Sequence, residues 1–159
     1  MLYGGPGSGK STAAGLIFAK LKQSNISAEW VQEPIKLWTY LNLAPKGFDQ
    51  VYLFGQIIYQ EDVALRNDVK IVVGDAPLLL SAYYAKKLKT PGWENLRNLA
   101  LEFEKVYPAT HIFLERPQDH FSEQGRYHSY EESLEIDEEI KAFLYANSVN
   151  YSKVLYSDI

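Results

Sequence analysis

Short apolar runs alternate with longer segments of helical periodicity along the chain. This alternation is typical of α/β proteins, in which each helix crosses back over a sheet to the next parallel strand. We therefore predict an α/β fold, a three-layer, doubly wound parallel five-stranded sheet. The predicted strands are Met1–Tyr3, Ala28–Gln32, Lys70–Asp75, Thr110–Leu114 and Ser152–Tyr156, and the predicted helices are Ala13–Lys22, Ile35–Leu41, Phe48–Arg66, Leu78–Ala85, Trp93–Val106 and one that begins after Ser129 or Tyr130.

The apolar spacing within each predicted helix selects the face that turns toward the sheet. The opposite face of the Phe48–Arg66 helix would carry polar and aromatic side chains that mostly face solvent. Lys70–Asp75 contains a continuous apolar run, the pattern of a strand buried on both faces. The predicted inward residues are Leu16, Ile17, Leu21, Val51, Phe54, Ile58, Leu65, Leu96, Leu99, Leu101, Phe103, Leu134, Ile140, Phe143 and Leu144.

Composition narrows the functional classes. With 159 residues, the chain fits a single domain, 1–159. Its formal net charge of −4 gives no broad attraction to nucleic acid or anionic membranes. The absence of cysteine excludes disulfides and thiolate metal sites. Because no apolar run is long enough to cross a bilayer and no secretion signal is present, we expect a cytoplasmic protein without a membrane partner. The sequence leaves the oligomeric state open between a monomer and a homodimer.

The segment Gly4–Thr12 carries the most specific motif in the chain. It fits G-x-x-x-x-G-K-[ST], a loop whose backbone N–H groups surround nucleotide phosphates at the start of a helix. Lys10 is placed to reach the outer phosphates, and the Ser11 hydroxyl to bind a Mg²⁺ ion that bridges them. The motif thus predicts ATP and Mg²⁺ as ligands. The loop residues predicted to hold them are Gly5, Pro6, Gly7, Ser8, Gly9, Lys10, Ser11 and Thr12.

Two acidic residues follow predicted strands. Glu33 precedes Pro34 at the end of the second strand, and Asp75 closes the third. In an open parallel sheet, ligands bind at this carboxyl edge. We predict that Asp75 contributes to the Mg²⁺ site. A hydrolytic ATPase has no need of a base at Glu33, whereas a kinase needs a group that orients and deprotonates an acceptor hydroxyl, so Glu33 is the predicted catalytic base. Structural alternatives are a helix-capping Asp75 and a surface Glu33.

The polar segment of about 116–130 is the predicted lid of the site. Arg116 and Arg126 flank it, and such a segment can close over a nucleotide and place a guanidinium on the transferred phosphoryl group. We predict Arg126 as the catalytic lid arginine and Arg116 as a nucleotide contact. The three histidines of the chain, His111, His120 and His128, lack the spacing of a zinc site.

Two stretches link these motifs to known families. Gly4–Thr12 followed by Trp30–Trp38 resembles the start of the deoxynucleoside kinases, in which a Glu-Pro pair ends the second strand and supplies the base. Over nearly the whole chain, the sequence is similar to small phage-type P-loop kinases and ATPases, a group that includes hydroxymethyl-deoxyuridine DNA kinases. The segments that carry this second resemblance are Gly4–Leu16, Gly74–Ser81, Gly125–Tyr127, Glu131–Glu132 and Ile136–Asp137.

The resemblance implies a P-loop kinase that uses ATP and Mg²⁺, with Lys10, Ser11, Glu33, Asp75 and Arg126 in the roles given above. It also implies a host cytoplasm if the protein is phage-encoded. Nucleoside kinases usually carry an arginine soon after the acid at the Asp75 position, and none follows here. The predicted acceptor is a deoxynucleoside or deoxynucleotide. Two alternatives stay open: the same chemistry on a hydroxymethylated base in modified DNA, and a P-loop ATPase or nucleotide-gated module without kinase activity.

Overall fold

The structure is a computed structural model that describes residues 1–35, 38, 40, 41, 43–116 and 129–159. Within these residues, strands and helices alternate as predicted, which confirms the α/β class. The strands are β1 (Leu2–Tyr3), β2 (Ala28–Val31), β3 (Ile71–Gly74), β4 (Ile112–Glu115) and β5 (Ser152–Leu155), and the helices are α1 (Lys10–Gln23), α2 (Asp49–Arg66), α3 (Leu78–Lys87), α4 (Trp93–Val106) and α5 (Tyr130–Ala146), with a 3₁₀ turn at Tyr156–Asp158. The predicted turn Ile35–Leu41 lies partly outside the described residues.

All strand pairs are parallel and form two ladders. β1, β4 and β5 form one in that order, and β2 pairs with β3 in the other. β1 has only two residues and bonds to β4 alone. A Cβ built on Gly74 would lie 2.8 Å from the Met1 sulfur, so the end of β3 packs against the Met1 side chain. The five predicted strands are all present, in two parallel ladders that approach each other near Met1 and Gly74.

Helices cover both faces of this strand array. α1 packs its small residues Ala13 and Ala14 against Leu2, Val73 and Leu114 on one face. The opposite face carries a larger cluster drawn from α2, α3, α4 and α5. Successive strand residues point to opposite faces, so Leu2 enters the first cluster and its neighbour Tyr3 the second. Large buried members of the second cluster are Phe54, Ile57, Leu79, Phe113, Ile136, Ile140 and Leu144.

Several inward positions predicted from spacing are wrong. On α2 the buried stripe is Gln50, Leu53, Phe54, Ile57 and Glu61, whereas Val51 is 42% exposed. Both registers have helical spacing, but the true one contains two polar residues, so hydrophobicity alone selects the neighbouring stripe. On the opposite face, predicted to carry polar and aromatic side chains, Tyr52 and Tyr59 are exposed.

The same error recurs elsewhere. Leu16, Leu99 and Leu134 are exposed, and Ile71 at the start of β3 is also exposed, so only the end of that strand is buried.

No helix among the described residues is long and apolar enough to cross a membrane.

Candidate active site

The phosphate loop joins β1 to α1 at the carboxyl edge of the sheet. Gly9 has φ 89° and caps α1, a conformation that costs little only for glycine. The Tyr156 ring closes the space beside it, since a Cβ on Gly9 would lie 2.5 Å from the ring carbon Cδ2. Backbone conformation and close packing therefore both require glycine here. The loop begins the helix at Lys10 as the motif predicts.

Lys10 lies along the inside of the loop. Its Nζ donates hydrogen bonds to the carbonyl oxygens of Gly4, at 2.7 Å, and Gly5, at 3.1 Å. Burial lowers the pKa of Lys10, and the nearby carboxylates of Glu33, Asp75 and Asp137 oppose that shift. The ammonium group is thus held by backbone carbonyls, with three carboxylates nearby, close to the N-terminus of α1 where phosphate oxygens bind.

The back of the loop is held by a buried ion pair. The Gly5 N–H donates to Oδ1 of Asp137 on α5. The other oxygen of that carboxylate accepts a hydrogen bond from Arg116 Nε at 2.6 Å. Arg116 also donates through Nη1 to the Pro6 carbonyl at 2.7 Å and through Nη2 to the Ser133 carbonyl at 3.1 Å. Two peptide groups of the loop are therefore fixed by side chains from outside it.

This places Arg116 differently from the prediction. Its side chain is 6% exposed and directs its guanidinium at the back of the loop, and it is not among the residues that line the cavity. A guanidinium occupied by three partners supports the loop and is not poised to follow a bound phosphoryl group. Arg126, the predicted lid arginine, lies outside the described residues, as do His120 and His128.

Asp75 and Glu33 meet where β2 and β3 end. Val31 of β2 lies opposite Gly74 of β3, so both strands release their next residues at the same level. The Glu33 N–H donates to Asp75 Oδ1 at 2.9 Å. Asp75 is 2% exposed, and its carboxylate fixes the backbone that carries Glu33. The two predicted acidic residues are thus brought together, with Glu33 facing the cavity and Asp75 beneath it.

The donors near the loop fit a Mg²⁺ ion that a nucleotide would bring with it. Ser11 lines the cavity and Asp75 lies close enough to Lys10 to act on its charge. Hydroxyl and carboxylate oxygens are the hard ligands that Mg²⁺ prefers. Among the described residues, no group of three or more acidic, histidine or cysteine side chains could hold a metal by itself. That donor set suits an ion completed by phosphate oxygens and water.

A cavity of about 480 Å³ extends from the loop into a groove between α2 and α3. Its two walls are joined by Thr90 Oγ1, which donates to the Gly47 carbonyl at 2.9 Å. A cavity of this size is typical of small-molecule sites. Residues that line it are Pro6, Gly7, Gly9, Lys10, Ser11 and Thr12 at the loop, Glu33 and Pro34 at the end of β2, Gln50, Leu53 and Ile57 on α2, and Leu80, Ser81, Tyr84 and Lys87 on α3. Gly5 and Ser8 are in the loop but do not line the cavity.

Two polar side chains on the groove walls were missed from the sequence. Gln50 is 4% exposed, and its carboxamide makes no hydrogen bond with any described residue. The Tyr84 hydroxyl also has no partner in the described part of the chain. Burial raises the pKa of Tyr84 well above its usual range, and the Glu33 charge adds to that effect, so the phenol stays a donor. The sequence did contain a signal for Gln50. It lies three residues before Leu53 and seven before Ile57, so the three side chains share one face of α2.

The neighbouring Tyr83 differs from Tyr84 in that its hydroxyl has a hydrogen-bond partner. Its hydroxyl donates to Glu139 on α5, and the same carboxylate oxygen accepts a hydrogen bond from Lys87 at 2.6 Å. The cation at the outer end of the groove is therefore already paired. His111, the one histidine among the described residues, lies 3.4 Å from Glu104 at the opposite edge of the sheet.

Comparison with known proteins bears on the loop and on the fold as a whole. Residues 1–158 match the model of a family described as AAA domain. A search of curated proteins found no match.

Proposed function

The chain belongs to the AAA domain family of P-loop nucleotide-binding proteins, and from this premise we propose that it is an ATP-dependent kinase. The acceptor we propose is a hydroxyl group of a deoxynucleoside or deoxynucleotide. ATP would lie with its phosphates in the loop, where Lys10 and the α1 N-terminus favour negative charge. A bound Mg²⁺, held by Ser11 with Asp75 nearby, supplies neutralisation of the phosphate charge.

One observation carries the proposal: Glu33 lines the same cavity as Lys10 and Ser11. A carboxylate at this position has a chemical use in transfer to an alcohol. The Glu33 carboxylate accepts the proton of the acceptor hydroxyl. At the same time, the oxygen of that hydroxyl forms a bond to the γ-phosphorus of ATP. The bond from that phosphorus to the β–γ bridging oxygen breaks, and ADP leaves with the electron pair. Glu33 then returns its proton to solvent.

The groove supports an acceptor with a planar ring. Leu53, Ile57 and Leu80 give apolar walls, and the Gln50 carboxamide offers one donor and one acceptor side by side. Because Gln50 lines the cavity, a ligand bound there can pair with both groups of the carboxamide. The edge of a nucleobase has the complementary pair, and a Tyr84 hydroxyl near Glu33 would bind a sugar hydroxyl.

A second function is favoured by the family match itself. Members of a P-loop domain family hydrolyse nucleotides as well as transfer phosphate, so ATP hydrolysis without an acceptor, coupled to a partner's shape, is the competing candidate. The same kinase chemistry on a hydroxymethylated base in DNA is the other. It differs in acceptor size and in a binding affinity that falls steeply with salt.

The test is transfer of label from γ-labelled ATP. The panel contains deoxynucleosides, deoxynucleotides and duplex DNA with hydroxymethylated bases, each with Mg²⁺. Label on a nucleoside or nucleotide is the expected result. Label on DNA alone would shift the function to the DNA-base kinase, and label appearing only as free phosphate, at a rate no acceptor changes, would establish an ATPase and overturn the proposal.

A further inference from the structure

Asp137 and Arg116 contact the phosphate loop from the side away from the cavity. They come from α5 and from the end of β4, yet they bind the consecutive loop residues Gly5 and Pro6. The side chains of the pair are 8% and 6% exposed. Both oxygens of the carboxylate are used, one by the Gly5 N–H and one by Arg116. The pair is therefore a fixed part of the loop's surroundings.

Packing at Gly5 shows how closely the pair approaches the loop. A Cβ on Gly5 would lie 2.8 Å from Arg116 Nη2, 2.9 Å from Asp137 Oδ1 and 2.9 Å from the Ser133 carbonyl oxygen. The loop can occupy this position only because residue 5 has no side chain. Any shift of the pair toward or away from the loop would thus move the peptide that follows Gly4.

Charge gives the pair a second consequence. The Asp137 carboxylate acts electrostatically on Lys10, so it lies within range of the bound phosphates as well. A bare carboxylate there would repel a polyphosphate. Arg116 offsets that charge at 2.6 Å. Loss of Arg116 would leave an unpaired buried anion beneath the site, whereas loss of the Asp137 charge would leave a cation, which favours phosphate.

We propose that Asp137 and Arg116 are positioning residues, which hold the phosphate loop in its nucleotide-binding shape and keep the site free of excess negative charge. They act through Gly5 and Pro6 and need not touch the nucleotide. Substitutions of the two residues should therefore differ in their effect on MgATP binding. Removing the arginine should weaken MgATP binding more than neutralising the aspartate, although both changes break the same ion pair.

The experiment measures the dissociation constant of MgATP by isothermal titration calorimetry, with thermal unfolding of each nucleotide-free variant alongside. The variants are D137N, R116M, R116K and the double variant D137N/R116M. The control is E138Q, which removes the neighbouring carboxylate on α5 from an exposed pair with Lys141. Exposed pairs of this kind contribute little to stability. The assay needs no acceptor, so its outcome is separate from that of the proposed kinase function.

We expect the dissociation constant to rise about tenfold in D137N and about a hundredfold in R116M, with E138Q within twofold of the parent protein. R116K retains the charge but not the fork of hydrogen bonds, and should recover part of the loss. A purely structural pair would lower the melting temperature and leave the affinity of the folded protein unchanged, and that result overturns the proposal. If R116M does not fold, R116K decides: affinity equal to that of the parent rejects the role.

Discussion

The two edges of the sheet both collect buried ionisable groups, but they satisfy them differently. At the carboxyl edge, Lys10, Asp75 and Arg116 each bind backbone atoms of the site. At the amino edge, buried polar atoms of Tyr3, Glu61 and His111 have no partner among the described residues. The unpartnered atoms there are Tyr3 Oη, Glu61 Oε1 and His111 Nδ1.

This difference separates function from stability. Charges fixed by the backbone can be placed against a ligand at little further cost, because the protein has already ordered them. At the amino edge, away from the cavity, buried atoms without partners lower stability and contribute no geometry to the site. Substitutions at the carboxyl edge should therefore change binding or transfer, and substitutions at the amino edge should change folding.

The largest effect is expected from Glu33→Gln. The amide keeps the shape of the side chain but cannot accept the acceptor's proton, so turnover should fall roughly a hundredfold or more while MgATP affinity persists. Initial rates of label transfer and calorimetric binding measure the two quantities. Glu29→Gln, an exposed change on the same strand, is the matched control. Turnover of Glu33→Gln equal to that of the parent would remove Glu33 from the mechanism.

The amino edge is tested by Glu61→Gln. Burial raises the pKa of Glu61 from 4.5 to about 7, with Glu104 adding to the rise and the Met1 ammonium opposing it. Between these values the folded chain holds a proton that the unfolded chain releases. The free energy of unfolding should therefore fall as pH rises from about 4.5 to 7, by about 3 kcal/mol at most.

In the variant this pH dependence should disappear. Because the unpaired amide of glutamine offsets part of the gain, we expect Glu61→Gln to be about 2 kcal/mol more stable than the parent at pH 8. Urea unfolding at pH 5.5 and pH 8 measures the free energy of unfolding of the parent and the variant. Glu102→Gln, on the surface of α4, is the control. MgATP affinity should not change. A variant less stable than the parent at pH 8 would show that the Glu61 charge is satisfied in the folded protein.

The site residues at the carboxyl edge could be predicted from the sequence only where a local pattern marks them. The loop motif, the Glu-Pro pair and the acid after a buried strand each depend on neighbours in the chain, and the structure brings Glu33 and Asp75 together as parallel strands require. The hydrogen bond between Gly5 and Asp137 joins residues 132 positions apart, so no local sequence pattern predicts it. The partners of Arg116 were not foreseen for the same reason, since they come from α5 and from the loop.

Gln50 marks the second limit of sequence reasoning. A glutamine at the start of an amphipathic helix normally faces solvent, and spacing assigned α2 a stripe that excluded it. Only packing against α3 and the loop before α2 shows that it is buried with its carboxamide in the cavity. The same helix carries Gln60 on its exposed face, so the pair allows a direct comparison of a buried and a solvated amide.

The smallest of these effects is expected from Gln50→Ala. Loss of one donor and one acceptor should raise KM for the acceptor about tenfold, because a hydrogen bond to an uncharged group contributes roughly 1 kcal/mol and the base edge would lose up to two. KM for ATP should stay unchanged, since the phosphate loop is untouched. Gln60→Ala on the exposed face is the matched control and should alter neither constant. A change in KM for ATP in place of KM for the acceptor would show that Gln50 contacts the nucleotide and not the acceptor.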